Sequence, residues 1–156
     1  MDEALRRFEG PLLRYATRLC RNPEDARDAV QETFLRLCRA DSAKVADHLG
    51  PWLYRVCRTR VFDLHRQGRP TQPIDASTAS LEPGPDDVVE GIQEKRRVLA
   101  ALDDLDTLRR EVLVLKLEGG LSYKEISDVT GKSVSHVGVL IHEALKHVRE
   151  VLRRSR

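Results

Sequence analysis

Residues 121–142, LSYKEISDVTGKSVSHVGVLIH, read as two short helices joined by a tight turn at Gly131. Ser122 stands where an N-cap belongs, and Glu125 three residues later completes a capping box, in which each side chain accepts a backbone N–H that the helix start leaves orphaned. Apolar residues return at Ile126 and Val129 before the glycine. A second helix is expected from Ser133, with Val137, Leu140, Ile141 and Ala144 on one face. This is the pattern of a helix-turn-helix, whose second helix can enter a DNA major groove. A plain αα-hairpin in a helical core has the same pattern, so the rest of the chain has to decide.

Working outward, the chain has 156 residues, enough for one domain or two small ones. Hydrophobic residues make up 40% and recur at helical spacing, which supports a core. Aromatics are only 4% and alternating β-branched runs are missing, so an all-α protein is expected. No apolar run is long enough to cross a bilayer, and MDEALRRFEG lacks the basic start and apolar centre of a signal peptide. No membrane insertion and a cytoplasmic location follow as expectations.

The net charge of +2 is too small to imply a nucleic-acid partner by itself. Its distribution says more: residues 1–66 and 89–156 each carry 13 basic side chains against 10 and 11 acidic ones, while 67–88 carry 1 against 4. Two mildly basic blocks thus flank an acidic joint. Cys20, Cys38 and Cys57 are odd in number and form no CxxC pair, which argues against a disulfide framework and a zinc knuckle. Small buried thiols are expected, and with no ligand spacing among the histidines neither a metal nor a cofactor is.

Upstream, Leu5, Phe8, Leu12, Tyr15, Ala16 and Leu19 mark a first helix with one apolar stripe, which Pro11 is expected to break or bend. Asn22-Pro23-Glu24-Asp25 then restarts the chain as N-cap, first helical residue and two acids that suit the positive helix end. The second helix runs to about Arg39, burying Ala26, Val30, Phe34 and Leu37 and turning Asp25, Asp28, Gln31, Glu32 and Leu35 elsewhere.

After a loose connection, Pro51 starts a third helix, PWLYRVCRTRVFDLHR, with Leu53, Val56, Cys57, Arg60 and Leu64 along its inner side. Arginines surround Trp52, Tyr54 and Phe62, an interleaving that suits single-stranded nucleic acid because phosphates take the charge and bases stack on rings. Trp52 and Phe62 serve equally well as core anchors. From Gln67 to Asp87 the chain is rich in Pro, Gly, Ser, Thr and Asp and has no period, so it reads as a linker between units that do not share a core. Beyond it, helices are expected over 88–102 and 105–118, the second turning Leu105, Leu108, Val112, Leu115 and Leu117 inward and ending at Gly119-Gly120. The last helix continues through Leu145, Val148 and Leu152 to a basic tail, RRSR.

Taken together, NPEDARDAVQETFL (22–35), PWLYRV (51–56) with Asp63 and Arg66, and LSYKEIS…TGKSVS (121–135) resemble the bacterial RNA polymerase sigma factors of the extracytoplasmic-function (ECF) type. The resemblance implies two small helical domains joined by a flexible linker: a sigma-2-like domain (1–66), a linker (67–87) and a sigma-4-like helix-turn-helix domain (88–156). It implies that Asp28, Gln31, Glu32 and Leu35 bind the clamp helices of core RNA polymerase, and that Trp52, Arg55, Arg58 and Arg66 engage the minus-ten promoter element. Lys132, Ser133, Ser135, His136 and Val139 would meet the minus-thirty-five element, where serine and histidine can bond base edges and valine a thymine methyl. The second domain would also contact the polymerase flap. The Pro-rich joint leaves room for an anti-sigma factor between the domains.

The chain departs from its relatives at Thr59, where many carry Asn, and at Gly138, Leu140 and Glu143, where basic residues are common. Each lost phosphate contact should weaken salt-sensitive DNA affinity. Gly138 suggests either close approach of another backbone or a helix meant to be soft. Two other readings stand beside the sigma factor: a stand-alone helix-turn-helix regulator, and a polymerase- or inhibitor-binding protein of sigma ancestry that reads no promoter. No nucleophile with a neighbouring base and no phosphate loop points to an enzyme.

Overall fold

Asn22 shows how locally the architecture is written. Its side chain accepts hydrogen bonds from the backbone N–H groups of Glu24 and Asp25, and Pro23 opens the helix behind it. The computed structural model describes residues 2–20, 22–68 and 89–154. Over these it is built from helices: α1 (Asp2–Cys20), α2 (Pro23–Arg39), a short α3 (Ser42–Val45) continued by a 3-10 turn, α4 (Leu49–Arg66), α5 (Val89–Asp104), α6 (Thr107–Leu117), α7 (Tyr123–Thr130) and α8 (Val134–Arg154). The linker reading from 69 to 87 lies outside the described residues.

Several expectations are corrected. Pro11 does not break α1, which runs through it; the stripe of Phe8, Leu12, Tyr15, Ala16 and Leu19 is buried along the whole helix and holds it in register despite one missing backbone donor. The loose connection before Pro51 contains α3 and the 3-10 turn, and α4 begins at Leu49, leaving Pro51 in a first turn whose N–H groups have no helical acceptor. Asp25 is buried, while Leu117 is 61% exposed because α6 ends there. Of the three thiols Cys38 is exposed, Cys20 and Cys57 buried.

α1, α2 and α4 form the first helical unit and α5 to α8 the second, and the two are docked. Leu12, Tyr15, Leu53 and Cys57 of the first unit belong to one continuous buried cluster with Val112, Leu115, Ile126 and Ile141 of the second. A smaller cluster, with Leu99, Leu102, Leu113 and Val148, lies wholly within the second unit. Separate cores, expected from the linker, are therefore not what the chain builds. A long linker does not oppose docking, because loop-closure cost grows only with the logarithm of length.

In the second unit the buried Arg110 donates to the carbonyls of Leu102, Asp103 and Leu105, satisfying groups that the end of α5 leaves open. The capping box of α7 is complete, with Ser122 N–H donating to Glu125 and Glu125 N–H to Ser122 Oγ. Gly131 takes φ +76°, a left-handed conformation that glycine adopts at no steric cost, and it turns α7 into α8.

Candidate nucleic-acid interface

The helix-turn-helix presents its second helix as the pattern requires. Val137, Leu140, Ile141 and Ala144 are buried, which fixes the rotation of α8 and leaves Ser133, Ser135, His136 and Val139 exposed and Lys132 half-buried. Ser133 Oγ accepts the N–H of His136 as the helix cap, which leaves its hydroxyl proton and one lone pair to offer a partner. Tyr123, Val134 and Val139 form the apolar part of this surface, at 41%, 47% and 54% exposure.

Two departures in α8 now have surroundings. The nearest group to a Cβ placed on Gly138 is the Tyr123 ring at 3.5 Å, an ordinary contact, so no second backbone approaches there. Glu143 accepts from Arg109 Nε at 2.7 Å, and Arg109 also pairs with Asp106. Glu143 is thus paired with an arginine of α6 that Asp106 shares, and the hydrogen bond to Glu143 holds the arginine's own proton more firmly.

On α2, Gln31 and Leu35 are exposed, Leu35 at 44%. Asp28 accepts from Arg60 of α4 at 3.1 Å, and Glu32 from Arg36 one turn on at 3.3 Å. Beside this edge, Leu5, Leu13, Val30, Phe34 and Leu35 line an apolar groove of 450 Å³ between α1 and α2. The four residues expected at the acidic edge therefore stand together, two of them already in ion pairs.

The basic and aromatic residues of α4 are divided. Tyr54 is buried edge-on against Tyr15, with ring centres 5.2 Å apart. Trp52 is half-buried against the core, and with Arg55 it lines a 190 Å³ cavity whose far wall includes Glu125 and Asp128 of α7. Arg66 is exposed and pairs with Asp63. Arg58 lies over the Phe62 ring at 4.4 Å and donates through Nε and a terminal nitrogen to Glu111 of α6, at 2.7 and 3.3 Å.

Glu111, absent from the sequence-derived site, is 2% exposed and also accepts from Tyr15 Oη at 2.6 Å. Burial first, and the Glu111 charge second, push the Tyr15 hydroxyl well above its ordinary pKa. A signal for Glu111 was available: it falls three residues after Leu108 and beside Val112, on the inner stripe of α6, where a carboxylate needs a partner.

An all-helical chain with a helix-turn-helix in one unit and an arginine-aromatic helix in the other has the layout of a two-domain transcription protein. Residues 4–71 match the family model for Sigma-70 region 2, and residues 95–148 that for Sigma-70, region 4. The ECF RNA polymerase sigma factor SigE of Mycolicibacterium smegmatis is 31% identical over 97% of this chain, which spans 61% of that longer relative. The ECF RNA polymerase sigma factor EcfG of Rhodopseudomonas palustris is 32% identical over 91% of this chain and 80% of its own. The RNA polymerase sigma factor CnrH of Cupriavidus metallidurans is 34% identical over 82% and 74%. The fold matches the sigma factor RpoE of Bartonella quintana, solved in complex with the anti-sigma factor NepR, with a TM-score of 0.70 at 20% identity over 99% of this chain and 97% of that one.

The chain belongs to the sigma-70 family, as an RNA polymerase sigma factor of the ECF type. Sigma factors are transcription initiation factors that give core RNA polymerase its promoter recognition, and the stand-alone regulator is not favoured. Among the described residues no helix is long and apolar enough to cross a membrane.

Proposed function

We propose that residues 1–66 act as the polymerase-docking and minus-ten unit, 67–87 as the linker and 88–156 as the minus-thirty-five unit of this initiation factor. Gln31 and Leu35, with Asp28 and Glu32 beside them, meet the clamp helices. Trp52, Arg55, Arg58 and Arg66 take the melted minus-ten strand, the arginines on phosphate and the indole on a base. Lys132, Ser133, Ser135, His136 and Val139 enter the major groove, and the second unit also meets the flap. The role is non-catalytic and is exercised in the cytoplasm, where polymerase and promoter are. An anti-sigma factor is a candidate partner, as the complex of the RpoE neighbour illustrates.

The observation that carries this reading is the exposed edge of α2 beside an apolar groove, in the same chain as the helix-turn-helix. A regulator that works on duplex DNA alone has no use for that edge. The test is co-purification with core polymerase, followed by open-complex formation on promoter DNA. Wild type binds and opens; the double variant Gln31→Ala, Leu35→Arg keeps its helical spectrum and loses core affinity by roughly tenfold or more, as a charge forced into an apolar contact costs at least 1.4 kcal/mol. A wild type that ignores polymerase yet shifts duplex DNA alone would return the stand-alone regulator to first place.

A further inference from the structure

Along α8 the exposed positions fall on one straight line. Ser135, Val139, His142, Lys146, Arg149 and Arg153 follow one another at alternating intervals of four and three residues, about five full turns of helix, and all are exposed. Val137, Ile141, Ala144 and Val148 are buried on the opposite side, so the core of the second unit fixes where the line points. The line changes character midway. Its first half carries a hydroxyl, an aliphatic side chain and an imidazole, and its second half three cations. The acids of that second half stand off the line: Glu143 is held by Arg109, and Glu150 is half-buried on the flank.

The inference below rests on the reading that puts α8 on promoter DNA with its first turns in the major groove. At a rise of about 1.5 Å per residue, Ser135 to His142 spans about 10 Å, which matches a groove about 12 Å wide. Lys146 to Arg153 then lie between about 16 and 27 Å from Ser135, past the edge of the groove, where the sugar-phosphate backbone stands. Phosphate oxygens are the natural acceptors for lysine and arginine at such a place, and their contacts hold a protein in position without reading sequence.

We infer that α8 carries its phosphate clamp in its distal half: Lys146, Arg149 and Arg153 hold the DNA backbone that flanks the minus-thirty-five element, in place of the basic side chains that Leu140 and Glu143 do not supply. The proximal half selects sequence, and the distal half supplies affinity that is independent of sequence and sensitive to salt. Three cations would also suit an acidic protein surface. What favours DNA is continuity: the cations prolong, on the same straight helix and the same face, the side chains that stand at the groove end, so one duplex can take both halves.

The test uses the full chain reconstituted with core polymerase, on a duplex that the wild-type holoenzyme selects from a pool randomised over the minus-thirty-five region. Lys146→Gln, Arg149→Gln and Arg153→Gln, combined, remove charge and keep helix propensity. This triple variant should retain its helical spectrum and its core affinity. Its plot of log affinity against log salt should be shallower by about 2.7, so that raising salt from about 50 to about 200 mM costs the wild type roughly fortyfold more than the variant. The loss should be the same on the selected site and on sites with one base pair changed. Methylphosphonate linkages beside the element, which remove the charge of single phosphates, should weaken the wild type and leave the triple variant unaffected. A control of equal charge, Arg6→Gln with Arg96→Gln and Arg97→Gln at exposed positions outside α8, should keep the wild-type slope. An unchanged slope in the triple variant, an equal change in the control, or harmless methylphosphonates overturns the clamp. Loss of core affinity with the slope kept overturns it too and makes the stripe a protein face. Val139→Ala separates the clamp from the base-reading assignment. If it shifts base preference while the triple variant keeps its slope, the clamp falls and the assignment stands; if it shifts nothing while the triple variant changes slope, the clamp stands and the assignment falls.

Discussion

At Gly138 α8 carries the residue that, proline apart, suits a helix interior least, and the close backbone approach suggested by the sequence is not what the structure shows. No second backbone lies against it; what lies nearest is the Tyr123 ring at 3.5 Å from an ideal Cβ, room that a methyl group fills without displacement. Gly138→Ala should therefore stabilise the protein by up to about 1 kcal/mol through helix propensity, read as a higher midpoint in urea. A lower midpoint would mean that the Tyr123 ring is held too rigidly to accept the methyl. Glu143 teaches a related lesson. Counted alone it is a repelled phosphate contact; with Arg109 shared between it and Asp106, the local surface carries a cluster of one base and two acids, and the salt dependence of any DNA binding should be judged on that cluster.

Helix boundaries were largely legible in the sequence, because caps are local. Asn22-Pro23 and Ser122…Glu125 each specify a start through atoms within three residues of one another, and both are made as read. Asn22→Ala removes the acceptor for two N–H groups and should cost about 1 kcal/mol, measured as a lower urea midpoint with an unchanged slope. A loss far larger would show that α2 starts the whole unit rather than only itself. What the sequence could not show is how helices pair at long range. Tyr15 and Arg58 reach Glu111 across 96 and 53 residues, and no period records such a meeting. The same limit explains Asp25, placed with the outward acids by spacing and buried in fact, and Tyr54, offered as a stacking platform and instead packed edge-on to Tyr15.

For the whole molecule, the shared core makes an alkaline limit predictable. Burial pushes the Cys57 thiol and the Tyr54 hydroxyl each up to about 12, and burial with the nearby Glu111 charge holds Tyr15 well above its ordinary range. All three belong to the cluster shared by the two units. The folded chain keeps these protons, whereas the unfolded chain releases them from its thiol at about 9 and its phenols at about 10. Proton release then favours unfolding, so the stability these groups contribute is whole below pH about 9 and is lost as pH rises toward 12. In a Tyr123→Phe variant, which removes the exposed tyrosine, alkaline titration should show tyrosinate absorbance from Tyr15 and Tyr54 rising together with loss of the helical spectrum. Because Tyr15 bonds across the contact and Tyr54 lies beside it within the first unit, an absorbance step that precedes helix loss would mean that the units part before either unfolds, and would locate the weakest boundary of the molecule at Glu111.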